Sequence, residues 1–266
     1  MAGRTIQPPS PPGAPGQPDI GYTPDHGKYL ERGKRRRETE DLATTLPLGF
    51  PQQLRSELVW DGNDLAERYD WNYSLDKDDV NEIELALQHF KATMPSLKKP
   101  LGFISQETFP LPNLHRALRE VSREVHSGHG FKVIRGVPVT QHTREENIII
   151  YAGISAHVGP IRGSAGGQSY LASSWKVYNE LAATRPDLIP TLAEPWATDT
   201  FGKSEKPFLS AALLYHQAAT ATDPERLIIQ YARRSFTGYW GLPRSPYIPP
   251  IRDASRGGSR VDCGGR

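Results

Sequence analysis

The chain has 266 residues, a net charge of +2 and 9% aromatic residues, enough for one globular domain plus tails. Near-neutral charge argues against the whole molecule acting as an electrostatic trap for nucleic acid or membrane. No run approaches the ~20 apolar residues of a membrane span, the N-terminus "MAGRTIQPPSPPGAPGQPDI" lacks a signal-type apolar core, and the lone Cys263 excludes an intrachain disulfide and fits a reducing, cytoplasmic setting.

Residues 1–52 are rich in Pro, Gly and charge and read as a disordered tail. Within it "GKRRRE" (Gly33 to Glu38) has the composition of a nuclear signal or an anionic-surface contact; a solvated charge run in a flexible tail is the favoured reading. A folded part spanning 53–250 is expected to begin near "ELVWDGNDL" (Glu57 to Leu65). In "SLDKDDVNEIELALQHFKAT", Val80, Ile83, Leu87 and Phe90 recur at helical spacing, with Asp78 and Asp79 placed to cap the start and His89 beside the stripe. A second helix follows in "LPNLHRALREVSREVHSGHG", with Leu114, Leu118, Val121 and Val125 inward and Gly128 as its stop.

"GFKVIRGVPV" (Gly130 to Val139) predicts a strand, with Phe131, Val133 and Arg135 on one face and Lys132 and Ile134 on the other. Thr143 and Glu146 have capping-box spacing ahead of a third helix carrying Ile148, Ile149 and Tyr151. "GGQSYLAS" (Gly166 to Ser173) predicts a turn into a short strand. "SSWKVYNELAATRPDLIPTL" predicts a capped helix, then a second with Pro186 in its first turn. "AALLYHQ" (Ala211 to Gln217) and "ERLIIQYARR" (Glu225 to Arg234) predict an antiparallel pair. Residues 251–266 have little apolar content and read as a disordered tail. Strands scattered among helices, without βαβ alternation, predict an α+β fold on an antiparallel sheet; the phosphate-loop patterns GxGxxG and GxxxxGK[ST] are absent.

"ELVWDGNDL", "VNEIELALQHF", "GHGFKVIRGVPV", "YAGISAHVGPIRG" and "GGQSYLASSWKVYNELAATRPDLI", in this order, resemble the TauD/TfdA family of Fe(II)- and 2-oxoglutarate-dependent dioxygenases, closest to its fungal branch, over roughly Glu57 to Pro250. The resemblance implies a double-stranded β-helix (jelly roll, clavaminate synthase-like) with flanking helices, Fe(II) and 2-oxoglutarate as cofactors, and a small organic substrate. It implies a metal triad of two histidines and one carboxylate, with an early H-x-D/E motif whose spacing of two places both ligands on one face of a strand, a late His, and a later Arg gripping 2-oxoglutarate.

The eight histidines fail that pattern. The residue two places on is Lys28 after His26, Lys91 after His89, Ala117 after His115, Gly128 after His126, Phe131 after His129, Arg144 after His142, Gly159 after His157 and Ala218 after His216. In the family the motif lies between the counterparts of "HVGPIRG" and "GGQSYLAS", which here almost touch across Gly163, Ser164, Ala165 and Gly166. A deletion near 163–166 and an aberrant end after "IPPIRD" are therefore expected, where the late His and Arg should follow. On this reading the double-stranded β-helix is incomplete, and the chain holds neither iron nor oxo acid and is inactive. Only Ser169, in the "GG-x-[ST]" position, is left as a 2-oxoglutarate contact, with ordinary backbone bonding as its alternative. For His126 with His129, His142 with Glu145 and Glu146, Arg135, Arg162 and Cys263, ordinary structural roles are favoured over site roles. The same holds for His157, ahead of a glycine turn, and His216, in a strand, neither of which has a carboxylate at a ligand spacing. The alternative function is a non-catalytic remnant that associates with a second copy or an intact paralogue. Neither membrane nor nucleic acid is expected as a partner, and the Arg/Gly-containing end is weak grounds for RNA binding.

Overall fold

The computed structural model describes residues 23–93, 103–159, 171–200, 205–237, 245 and 247–249. It is a mixed α+β fold divided into two compact units, one within Leu54–Val177 and one drawn from Met1–Gln53 and Tyr178–Arg266. The division falls at Tyr178, inside the span expected to be a single domain. Among the described residues no helix is long and apolar enough to cross a membrane.

In the Leu54–Val177 unit, α2 (Leu65–Arg68) leads into β1 (Asn72–Ser74), α3 (Lys77–Thr93) and α4 (Leu114–Ser127). Next come β2 (Val133–Arg135), a 3₁₀ turn over Val139–Gln141, and α5 (Arg144–Val158). The predicted stripes are the buried ones: Ile83, Leu87 and Phe90 from α3, Leu114 and Leu118 from α4, and Ile149 and Ile150 from α5 form one core with Phe109. Val80 and Val125 are half-buried and do not belong to it. The capping box on α5 is present with both reciprocal bonds, Thr143 Oγ accepting from Glu146 N and Glu146 accepting from Thr143 N. The start of α3 is capped otherwise than expected. Asp76, one turn earlier, accepts from the N–H groups of Asp78 and Asp79, and Asp79 returns a bond to Asp76 N.

The strand expected over Gly130–Val139 shortens to Val133–Arg135, because Gly136 turns the chain at φ 95° and its missing Cβ lets Leu75 O approach. β2 pairs with β1 in parallel, Tyr73 opposite Ile134. The long helical crossover through α3 and α4 permits this direction.

α6 (Ser174–Thr184) spans the boundary between the units, its first turn capped by Ser173 Oγ, which accepts from Lys176 N. Leu171–Ser173, expected to end a strand, are not in one. α7 (Leu188–Ala193) has Asp187 at its N-cap position, so Pro186 stands just outside the helix rather than in its first turn.

The unit drawn from the chain's two ends holds α1 (His26–Thr39), β3 (Pro195–Asp199), β4 (Phe208–Ala212), β5 (Leu214–Gln217), β6 (Arg226–Ile229) and α8 (Arg234–Thr237). β5 and β6 form the predicted antiparallel pair. Ala211 and Ala212 belong instead to β4, whose partner β3 was not predicted.

The N-terminal tail is not disordered throughout, since α1 lies inside it, and among the described residues three two-stranded sheets, one of them parallel, stand in place of the single antiparallel sheet expected. No jelly roll closes among the described residues, because each strand, three to five residues long, has one strand neighbour.

Candidate functional site

The described histidines are held in separate places by separate partners. His126 Nδ1 donates to Ser122 O at 2.7 Å along α4, while His129, beyond the helix end, turns its Nδ1 to Glu124 Oε1 at 2.7 Å; the two do not converge. His142 lies 2.7 Å from Glu84 Oε1, off a hydrogen-bonding line, while Glu146 is engaged by Thr143 and Lys91. His216 turns one ring nitrogen to Gly49 O at 2.6 Å and the other to Glu225 Oε1 at 2.9 Å. Only His115 and His157 meet each other, Nδ1 to Nδ1 at 2.8 Å. Two ligands of one zinc-like ion stand about 3.4 Å apart, given metal–nitrogen bonds near 2.1 Å, so this spacing is that of a shared proton.

Among the described residues no group of three or more His, Cys, Asp or Glu is arranged to hold a metal ion. They do not fit the two-histidine, one-carboxylate set that Fe(II) requires. Arg135 donates to Asn72 Oδ1 at the start of β1, an ordinary polar contact. Ser169, Arg162 and Cys263 lie outside the described residues.

The arrangement with most chemical potential surrounds His129. α4 ends at Gly128, where a Cβ would fall 2.5 Å from the Glu124 carboxyl group. Glycine there lets Glu124 fold back and accept from both the backbone N (2.9 Å) and the ring Nδ1 of His129. Gly130 adopts φ 90° and its N–H returns to Glu124 O, so the turn is fixed on both sides. Tyr69 stacks on the His129 ring with centroids 3.8 Å apart and donates to Phe131 O; Lys132 Nζ lies 4.9 Å above the Tyr69 ring. Trp60 Nε1 donates to His129 O at 2.7 Å, setting the indole beside it.

Electrostatics follow from this packing. Burial works to raise the Glu124 carboxyl pKa, but the two hydrogen bonds from His129, with the Tyr69 hydroxyl close by, outweigh it and hold the group below its usual range. Burial, then the Glu124 carboxylate, pushes the Tyr69 phenol well above its usual value, so it stays a neutral donor. With Nδ1 committed to Glu124, His129 keeps Nε2 for a ligand. The ring lines a cavity of about 380 Å³ shared with Glu57, Trp60, Asp61, Arg68 and Lys176. Such a pocket can accept a hydrogen bond from a small molecule.

Sequence reasoning paired His129 with His126 and missed Glu124 and Tyr69. The available signal was an acid five residues before His129 with glycines at 128 and 130, a spacing that no helix or strand period picks out.

No family model matches the chain. It is similar to Taurine hydroxylase-like protein SAT17 of Stachybotrys chartarum, 30% identical over 268 aligned residues that take in 79% of this chain and 67% of that protein. The aligned span, at 268 positions, is longer than this chain's 266 residues, of which it uses only a part. At that identity and coverage, the chain belongs to the TauD/TfdA family of Fe(II)- and 2-oxoglutarate-dependent dioxygenases.

Proposed function

We propose that this chain is a TauD/TfdA family protein that has lost the ferrous centre and does not turn over 2-oxoglutarate. The observation that carries the reading is the absence, for all eight histidines, of an acid two residues on. Family members hold iron with that pair and a later His, and without the pair no site orients metal and co-substrate together. Two facts support it. The described histidines with ring partners are tied to carboxylates, carbonyls or one another, and the alignment with the relative must step over positions that this chain lacks. The loss is assigned to the deletion near 163–166, which removes strands from the family's jelly roll. Ser169 remains as the one residue matched to an oxo-acid contact.

Anaerobic titration with ferrous salt and 2-oxoglutarate, then admission of oxygen, tests this reading. The expected result is no iron retained after gel filtration and no succinate beyond the protein-free control. Stoichiometric iron and iron-dependent succinate would overturn it.

A second reading is a non-catalytic remnant that pairs with an intact paralogue or a second copy. It is favoured by the outward Tyr215–Ile228 pair across β5 and β6, both residues about half exposed, on a sheet of only two strands. Co-purification with a full-length relative tests it.

A further inference from the structure

The basic run in the N-terminal segment is an ordered feature. Asp25 caps α1 by accepting from Lys28 N at 3.0 Å. Tyr29, Gly33, Arg36 and Glu40, spaced i, i+4, i+7 and i+11, share one face. Arg185 lies against that face, with its Nη1 donating to the Tyr29 hydroxyl and passing over Gly33, which is buried. Arg36 adds ion pairs to Glu40 and Asp187.

Charge is concentrated here. Lys28, Arg32, Lys34, Arg35, Arg36 and Arg37 against Glu31 and Glu38 give the helix +4, more than the +2 of the whole chain. Only Arg36 has an ion-pair partner among the described residues. The other five cations are exposed. Lys28, Arg32 and Arg35 stand at i, i+4 and i+7, one unobstructed stripe.

We propose that α1 docks on the phosphate backbone of nucleic acid through Lys28, Arg32 and Arg35. A fixed row of cations keeps its geometry when it meets a regular row of phosphates, whereas a flexible tail has to be ordered first. A membrane surface fits less well. Interfacial helices carry a broad apolar face, and in α1 the apolar Leu30 is isolated while Tyr29 is held by Arg185. The near-neutral net charge of the chain masked this local excess.

Fluorescence anisotropy of the full chain with a labelled mixed-sequence DNA duplex, over a salt series, tests the proposal. Binding should be sequence-independent and weaken steeply with salt. The triple variant K28Q/R32Q/R35Q should lose at least about ten-fold in affinity and flatten the log–log salt slope by about 2.7, at roughly 0.9 per phosphate contact. Far-ultraviolet circular dichroism checks that the fold is kept. K77Q/R116Q/R144Q, an equal charge change at exposed positions elsewhere, should shift affinity by less than about three-fold. Equal losses in both variants, no binding at low salt, or binding to phosphatidylserine-containing vesicles but not to the duplex would each overturn the proposal.

Discussion

His115 Nδ1 and His157 Nδ1 lie 2.8 Å apart and bridge α4 to the end of α5. His157 Nε2 donates to Phe109 O at 2.8 Å, so its Nδ1 is the acceptor and His115 the donor. Arg119 fastens the same corner, donating to His157 O and Val158 O. The gap holds one proton. A second would set two N–H groups against each other in a place where His157 is 2% exposed.

A pH prediction follows with a definite sign. Burial first, then the nearby His115, lowers the His157 pKa, against the raising effect of the Phe109 carbonyl and Glu82. The unfolded chain binds a proton below about pH 6.5 that the native state refuses. Stability is therefore complete above that value and is lost as pH falls through it, by up to ~1.4 kcal/mol per pH unit for one proton. Urea unfolding between about pH 7.5 and 5 should reveal the decline, and His157→Gln should flatten it. An unchanged slope in that variant would remove His157 from the account.

The helices of the Leu54–Val177 unit were legible because their stability comes from local period and from a face that packs. Ile83, Leu87, Leu118 and Ile149 recur on that period and are buried. α1 was not legible, because it has no apolar stripe; its partners Arg185 and Asp187 lie about 150 positions away in sequence. β3 was hidden by Pro195 and by a pattern without apolar alternation, and only its cross-strand partner β4 makes it a strand. The His115–His157 contact links residues 42 positions apart through tertiary packing alone. The missing H-x-D/E pair, by contrast, is a pure sequence fact that needs no coordinates.

Gly153 is required for tight packing rather than for backbone conformation. A methyl group on its Cα would fall 2.4 Å from the ring of Phe109, which is completely buried. Gly153→Ala should destabilise by about 1–3 kcal/mol through overpacking, despite a helix-propensity gain of up to ~1 kcal/mol. Adding Phe109→Leu should recover part of the loss in denaturant unfolding. A G153A protein as stable as the parent would contradict the packing described.

The α5 cap gives a second pH-linked expectation. Lys91, then Thr143, hold the Glu146 carboxyl down to about 2 by hydrogen bonding. Its contribution is present above the ordinary carboxylate range and is lost as pH falls from about 4.5 toward 2. Thr143→Ala removes the reciprocal bond and should cost about 1 kcal/mol at neutral pH. Glu146→Gln should weaken the acid dependence, read as a smaller change in melting temperature between neutral and acidic buffer.

Asp187 keeps α1 in place. Its two oxygens accept from Arg185 Nε and Nη2, each at 2.8 Å, and Arg36 approaches one of them at 3.6 Å. These bonds, the Arg185 pair first, hold the Asp187 carboxyl below its usual range. Asp187→Asn leaves a largely buried guanidinium without its counter-charge and should cost about 3–5 kcal/mol in this unit. Arg36 and Arg185 would then no longer fix the helix. Brief trypsin digestion should cut between Lys28 and Arg37 well before the rest of the chain, whereas the parent should resist at those bonds. If both proteins are cut there at the same rate, the Asp187 network does not order α1.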